Sequence, residues 1–191
     1  RIDSTVAFGS TKPLNRPGDI FFLNGAFPPT AEEIQAHTPT PVIFGEASVA
    51  KPYTAPSLFN ISAMSYGALS GPAISALSQG AYQSGIWLNT GEGGLSPFHR
   101  QAPCDLIFQI GTAKYGVRDE QGRLDASKLT ELAAIPEIKM FEIKLSQGAK
   151  PGKGGILPGE KVTEVIATTR GIPAGQDSIS PNRHPEVTSV E

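Results

Sequence analysis

A lysine at the end of an apolar run, followed by a glycine-rich loop, carries the strongest chemical signal in this chain. The stretch Phe141-Glu142-Ile143-Lys144-Leu145-Ser146-Gln147-Gly148-Ala149-Lys150-Pro151-Gly152-Lys153-Gly154-Gly155 starts as a strand and breaks into Gly, Pro and Lys. Strands that end abruptly in cationic glycine loops are how α/β folds build anion sites at strand C-termini. Two earlier stretches repeat the transition: Asn60-Ile61-Ser62-Ala63-Met64-Ser65-Tyr66-Gly67 and Asn89-Thr90-Gly91-Glu92-Gly93-Gly94-Leu95-Ser96-Pro97. Three such transitions point to several loops converging on one ligand. The 148–155 loop lacks the Gly-Lys-Ser/Thr of a Walker sequence, which disfavours a nucleoside triphosphatase. His37, His99 and His184 are far apart and show no ligand spacing, so no metal site is expected. Cys104 is the single cysteine. It leaves no internal disulfide and no Cys-rich zinc or iron-sulfur site, and it reads as an unreactive thiol.

The elements that must position these loops follow from pattern. Residues 1–56 hold eight prolines, which exclude long helices. This region reads as an irregular arm wrapping the domain that follows, anchored by Ile20-Phe21-Phe22-Leu23 and Pro41-Val42-Ile43-Phe44. One or two helical turns over Ala31-Glu32-Glu33-Ile34-Gln35-Ala36, capped by Thr30, are expected within it. From Ser57 the rhythm becomes strand, loop, helix. Strands are predicted at 58–64 (buried on both faces), 86–89, 106–110, 138–145 and within 175–180. Between them lies a helix from Ser70 with Pro72 in its first turn, burying Ile74, Leu77 and Ala81 and stopped by Gly85. A second runs from Asp125 through Leu129, Leu132 and Ala133 to Pro136. A third carries Val162, Val165, Ile166 and Thr169 on one face and closes at Gly171. Alternating strands and helices imply α/β architecture with a parallel sheet. The long loops favour a (β/α)8 TIM-type barrel over an open sheet. A full barrel takes about 250 residues; residues 57–191 are little more than half of that, so the chain is expected to be the first half of a barrel.

Composition narrows the function. The 191 residues are 39% hydrophobic, enough for one sizeable core. A net charge of -2 gives no electrostatic footprint for nucleic acid or an acidic membrane surface. No apolar run approaches the roughly 20 residues of a membrane span. The lone cysteine suits a reducing, cytoplasmic setting. The chain starts at Arg1 without a signal pattern, which leaves room for an upstream segment.

The three glycine stretches, extended to Asn60-Ile61-Ser62-Ala63-Met64-Ser65-Tyr66-Gly67-Ala68-Leu69-Ser70 and ending at Lys144-Leu145-Ser146-Gln147-Gly148-Ala149-Lys150-Pro151-Gly152, resemble the FMN-binding synthase domain of glutamate synthase. The nearest look-alikes are stand-alone FMN-binding glutamate synthase family proteins. The resemblance runs from about residue 57 to 191, and residues 1–56 match the variable leader of those proteins more weakly. It implies a (β/α)8 barrel with FMN at the strand C-termini, where 2-oxoglutarate and ammonia give 2-iminoglutarate, which is reduced to L-glutamate by hydride transfer from flavin N5. By position, Ala63, Met64 and Ser65 would lie against the isoalloxazine, and Gln109 would meet the polar edge of the ring. Lys144 would stabilise charge on the reduced flavin and attract a keto acid. Arg170 would hold the substrate carboxylate, and Glu92 would lie near the substrate.

Two departures qualify this. Ile156 stands where the family's glutamine-dependent enzymes carry a Gln that helps hold 2-oxoglutarate, so the substrate is open. The family's later strands, with phosphate loops and the cysteines of an iron-sulfur cluster, have no counterpart here. The chain also lacks an N-terminal Cys nucleophile for glutamine hydrolysis. The expected partners are a small keto acid or imine and an unknown electron donor, with self-association through open sheet edges. The alternatives are a non-catalytic flavin- or small-anion-binding module, or an inactive fragment of a longer enzyme.

Overall fold

Helix ends in this chain are set by short-range chemistry that can be followed residue by residue. The computed structural model describes residues 17–18, 26–36, 41–148 and 152–189. The Ile20-Phe21-Phe22-Leu23 anchor, His37 and the Ala149-Lys150-Pro151 part of the glycine loop lie outside the described residues. The chain divides into two units, residues 1–38 and 39–191. In the first, helix α1 (Ala31–Ala36) carries a reciprocal cap. Glu33 N–H donates to Thr30 Oγ1 at 3.2 Å, and Thr30 N–H donates to Glu33 Oε2 at 2.7 Å. That pairing satisfies two of the otherwise orphaned donors at the helix start.

The second unit opens with an antiparallel pair, β1 (Val42–Phe44) and β2 (Tyr53–Ala55). Helix α2 (Gly71–Ser84) begins where the Ser70 side chain accepts from Ala73 N–H and ends at Gly85, whose φ of 62° is left-handed. Ile74 and Ala81 on its inner face are fully buried. Strands β3 (Leu88–Asn89), β4 (Leu106–Ile110) and β5 (Ile138–Ile143) then form a parallel sheet in that order. Helix α3 (Ala126–Ala133) connects β4 to β5, its first N–H groups donating to Asp125 Oδ1. Leu88, Leu106, Phe108 and Ile138 point from one sheet face into a core completed by Ala81, Cys104 and Val117. The opposite face carries Asn89, Ile107, Gln109, Met140 and Glu142, as the pairing of Ile107 with Met140 and of Gln109 with Glu142 requires.

The hairpin sits at the N-terminal ends of these strands. Phe44 packs edge-on to Trp87 with ring centroids 5.9 Å apart, and Tyr53 Oη donates to Asp105 Oδ2 at 2.8 Å. Burial, with Asp105 beside it, pushes the Tyr53 phenol upward. The loops leaving β3, β4 and β5 therefore emerge together at the other end of the sheet.

Three sequence expectations are corrected. Residues 58–64 are not a strand buried on both faces. Leu58 and Phe59 are exposed, and only Ile61 bridges to Leu88 in parallel. The cause is local: Phe59 N–H donates to Ser57 Oγ, Asn60 Nδ2 donates to Ser57 O, and Asn60 Oδ1 accepts from Trp87 N–H. Side chains here take the backbone partners that a ladder would need. The strand within 175–180 exists as β7 (Ser178–Ile179), but it pairs antiparallel with β6 (Ile156–Leu157), outside the parallel sheet. Helix α4 (Glu164–Arg170) is capped by Thr163 and closes at Gly171 as expected, yet it buries Ile166, Ala167 and Arg170 and exposes Val165. Val162 lies in the 3-10 turn region before the helix rather than within it, which shifts the inward face by about one position. The architecture is mixed α/β around a parallel sheet. No described helix is long and apolar enough to cross a membrane.

Candidate active site

Gly91, directly after β3, lets the three loops meet. At a φ of 66°, a side chain there would place its Cβ 2.6 Å from Ser65 N, so only glycine allows the 63–65 backbone to rest on this turn. That backbone is held from both sides. Met64 N–H donates to Asn89 O at 3.1 Å, and Met64 O accepts from His99 Nε2 at 2.8 Å. Ala63 is left exposed, with Met64 and Ser65 half-buried, and together they present a pinned surface.

His99 was set aside in the sequence for lacking metal-ligand spacing, and among the described residues no His/Cys/Asp/Glu cluster could hold a metal. Its role is to tether. Ser96 N–H donates to Nδ1 at 3.2 Å, so Nδ1 is the acceptor and Nε2 carries the proton given to Met64 O. Burial holds the imidazole below its ordinary pKa. A base with a depressed pKa in the folded state adds stability that is complete above about pH 6.5 and is lost as pH falls from there toward the folded-state value. We expect the melting temperature to drop between pH 6.5 and 5, by about 2–4 °C for each kcal/mol involved. His99→Gln should flatten that stretch of the profile. Superimposable profiles for the two proteins would refute the tether.

Across the loops, three side chains close a triangle. Lys144 Nζ lies 3.0 Å from Glu92 Oε1 and donates to Gln147 Oε1, also at 3.0 Å, while Gln147 Nε2 donates to Glu92 Oε1 at 2.7 Å. Each comes from a different place: Glu92 from the loop after β3, Lys144 from the end of β5, Gln147 from the glycine loop. His184 Nε2 donates to Lys144 O at 2.9 Å and fixes the strand end. Glu92 Oε2 is buried and has no hydrogen-bond partner among the described residues.

Arg170, 7% exposed, is held by three contacts. Its Nη1 donates to Ser178 Oγ at 2.8 Å, and the Ser178 hydroxyl in turn donates to Tyr115 Oη at 2.7 Å. The guanidinium stacks over the Tyr115 ring at 5.0 Å, and Nη2 reaches Tyr66 O at 3.4 Å. Arg170 Nε is buried without a partner among the described residues, and burial lowers the guanidinium pKa. Helix α4 can deliver it because Val162, Ile166 and Ala167 form a second small core with Tyr66 and Leu157.

Glu92, Gln147, Arg170, Ser65, Lys161 and Ile156 all line one cavity of about 350 Å³. A larger groove of about 560 Å³ lies between α3 and α4, lined by Lys128, Leu132, Val165 and Thr169, with Leu95 and Pro97 from the loop after β3. The structure thus brings Ser65, Glu92 and Arg170 to one cavity, with Lys144 bonded to its Glu92. Gln109 stands apart on the sheet face, 5% exposed, its Nε2 donating to Glu142 Oε1. Sequence reasoning missed Gln147, Tyr115, Ser178 and Lys161. Gln147 had a signal, a lone amide three residues beyond Lys144 at the mouth of the glycine loop.

Residues 27–191 match the family model described as a conserved region in glutamate synthase. Over 220 aligned residues the chain is 41% identical to the glutamate synthase large subunit-like protein YerD of Bacillus subtilis (strain 168), covering 96% of this chain and 42% of that protein. It is 44% identical over 129 residues to the archaeal-type glutamate synthase (NADPH) of Thermotoga maritima, covering 68% and 23%. A glutamate synthase large subunit-like protein of Rhizobium meliloti is 33% identical over 187 residues, covering 96% and 39%. The chain spans less than half the length of these relatives.

Proposed function

The chain belongs to the glutamate synthase family, a family of oxidoreductases, and on that premise we propose that it is an FMN-dependent oxidoreductase acting on a keto acid or the imine formed from it. The observation that carries this reading is the meeting of Glu92, Lys144 and Gln147 beside a cavity walled by Arg170. In this reading residues 57–191 supply the first part of a (β/α)8 barrel and residues 1–56 lead into it.

The residues present fit the ring end of FMN. The pinned 63–65 backbone offers a flat, accessible support, Gln109 an amide, and Lys144 a cation, all toward the C-terminal end of the sheet. When bound, the flavin supplies hydride chemistry to an electron-poor carbon. The chain's own groups do the rest. Arg170, on the cavity wall, pairs with the acceptor carboxylate, where a planar fork favours bidentate contact. Lys144 favours negative charge near the reacting centre, and Gln147 keeps the ammonium aimed by holding it from a second side. Glu92 balances that charge. Leu157 and Pro158 add apolar surface to the cavity wall. 2-Oxoglutarate with ammonia, giving L-glutamate, is the first substrate pair to test. Ile156, on the same wall, offers no hydrogen bond and so leaves the far end of the acceptor without a polar partner.

A flavin- or anion-binding module without turnover is the second reading. It is favoured by the neutralisation of Lys144 by Glu92. The test is to purify the protein, reconstitute it with FMN, and quantify flavin released on denaturation. Near-stoichiometric FMN is expected. Turnover of keto acid, ammonia and a chemical reductant would then separate enzyme from module. A protein that takes up no FMN would overturn both flavin readings.

A further inference from the structure

Gln109 is one of three polar side chains in a row across the parallel sheet, and the row has a direction. Asn89 on β3, Gln109 on β4 and Glu142 on β5 share the face opposite the core, Gln109 and Glu142 being register partners. Asn89 and Glu142 also line a recess of about 270 Å³ on that face.

The chain of donors starts from a group whose role is fixed. Gly91 N–H can only donate, and it donates to Asn89 Oδ1 at 3.0 Å. Asn89 must therefore present its Nδ2 to the other side, where it donates to Glu142 Oε1 at 3.0 Å. The same Glu142 oxygen accepts from Gln109 Nε2. A carboxylate is acceptor-only, so the Gln109 amide cannot turn without facing its own oxygen toward it. Gln109 Oε1 is then the free end, and it takes no hydrogen bond among the described residues. A neutral amide that could have offered either atom is committed to one.

We propose that Glu142 is a positioning residue that locks Gln109 as a hydrogen-bond acceptor, so that the cofactor group it meets must be a donor. This rests on the flavin reading. The polar edge of an isoalloxazine carries two carbonyl oxygens and one imide N–H, and only the imide N–H can give a hydrogen to Gln109 Oε1. The site therefore selects a flavin whose N3 carries hydrogen.

The probes are FMN and 3-methyl-FMN, which differ only at that nitrogen, titrated against the protein by quenching of flavin fluorescence. Losing one such bond and leaving an acceptor unpaired should weaken 3-methyl-FMN about tenfold or more. Glu142→Gln keeps an oxygen able to accept from both Asn89 and Gln109, and it should keep most of this discrimination. Glu142→Ala removes the acceptor, frees the Gln109 amide to turn, and should bring the two affinities to within about threefold. A merely structural role for Glu142 would weaken both flavins alike and leave their ratio unchanged. Equal binding of both flavins by the unaltered protein would overturn the inference, as would discrimination that survives Glu142→Ala. Binding of neither flavin would instead overturn the flavin reading on which it rests.

Discussion

Lys144→Ala is expected to lower turnover of the keto-acid or imine acceptor about 10²–10³-fold, the size seen when one preorganised charge or donor is removed from a reacting centre. Lys144 Nζ is held from two sides at 3.0 Å, so its charge is aimed before substrate arrives and costs little reorganisation during reaction. The variant also leaves Glu92 without its cation. The two side chains are 28% and 20% exposed, so water can relax around the remaining carboxylate. The stability cost should therefore fall below the roughly 3–5 kcal/mol of a fully buried broken pair. Flavin content and melting temperature, measured beside kcat, separate lost chemistry from lost fold. Lys144→Ala in a Glu92→Gln background should regain stability but not turnover. Full activity in Lys144→Ala would sink the catalytic assignment and favour the binding-module reading.

The parts of this chain that were legible from sequence are those whose physics is local. Ser70, Pro72 and Gly85 bound α2 through contacts a few residues long, and the structure ends that helix at those positions. Asp125 acts in the same way at the start of α3, and Gly171 at the end of α4. The 58–64 run misled for an equally local reason. Its apolar content suggested a strand, while Ser57 and Asn60 at its start divert the backbone into side-chain bonds. Pairing of β6 with β7 joins residues some twenty positions apart and leaves no trace in periodicity. In the candidate site, Lys144 and Glu92 stood out within long motifs, whereas the Tyr115 and Ser178 supports of Arg170 are joined only by the fold. His99 shows a subtler gap: a histidine without ligand spacing looked idle, and only its contact with Met64 O reveals what it holds.

Arg170→Met should separate function from stability in opposite directions. Arg170 is nearly sequestered, yet its Nε finds no partner among the described residues, and burial already disfavours its charge. A buried polar group left unpaired costs about 1–3 kcal/mol, and replacing buried ionic groups by apolar ones of similar volume is often neutral or stabilising. Methionine keeps an unbranched apolar stem of similar length and removes the unpaired nitrogen. The melting temperature should therefore hold or rise. A carboxylate-bearing acceptor, in contrast, loses a charge-assisted contact that supplies about 3 kcal/mol, so its KM should rise about 10²-fold. Arg170→Lys should fare little better, because a single ammonium cannot contact Ser178 and a carboxylate together in the geometry of the fork. Tyr115→Phe keeps the ring beneath the guanidinium and removes only the hydroxyl that accepts from Ser178, so it should raise KM far less. A variant that loses several degrees of stability while keeping its KM would make Arg170 a strut between α4 and β7, and the carboxylate would have to be sought elsewhere in the cavity, with Lys161 as the remaining cation among the described residues of its wall.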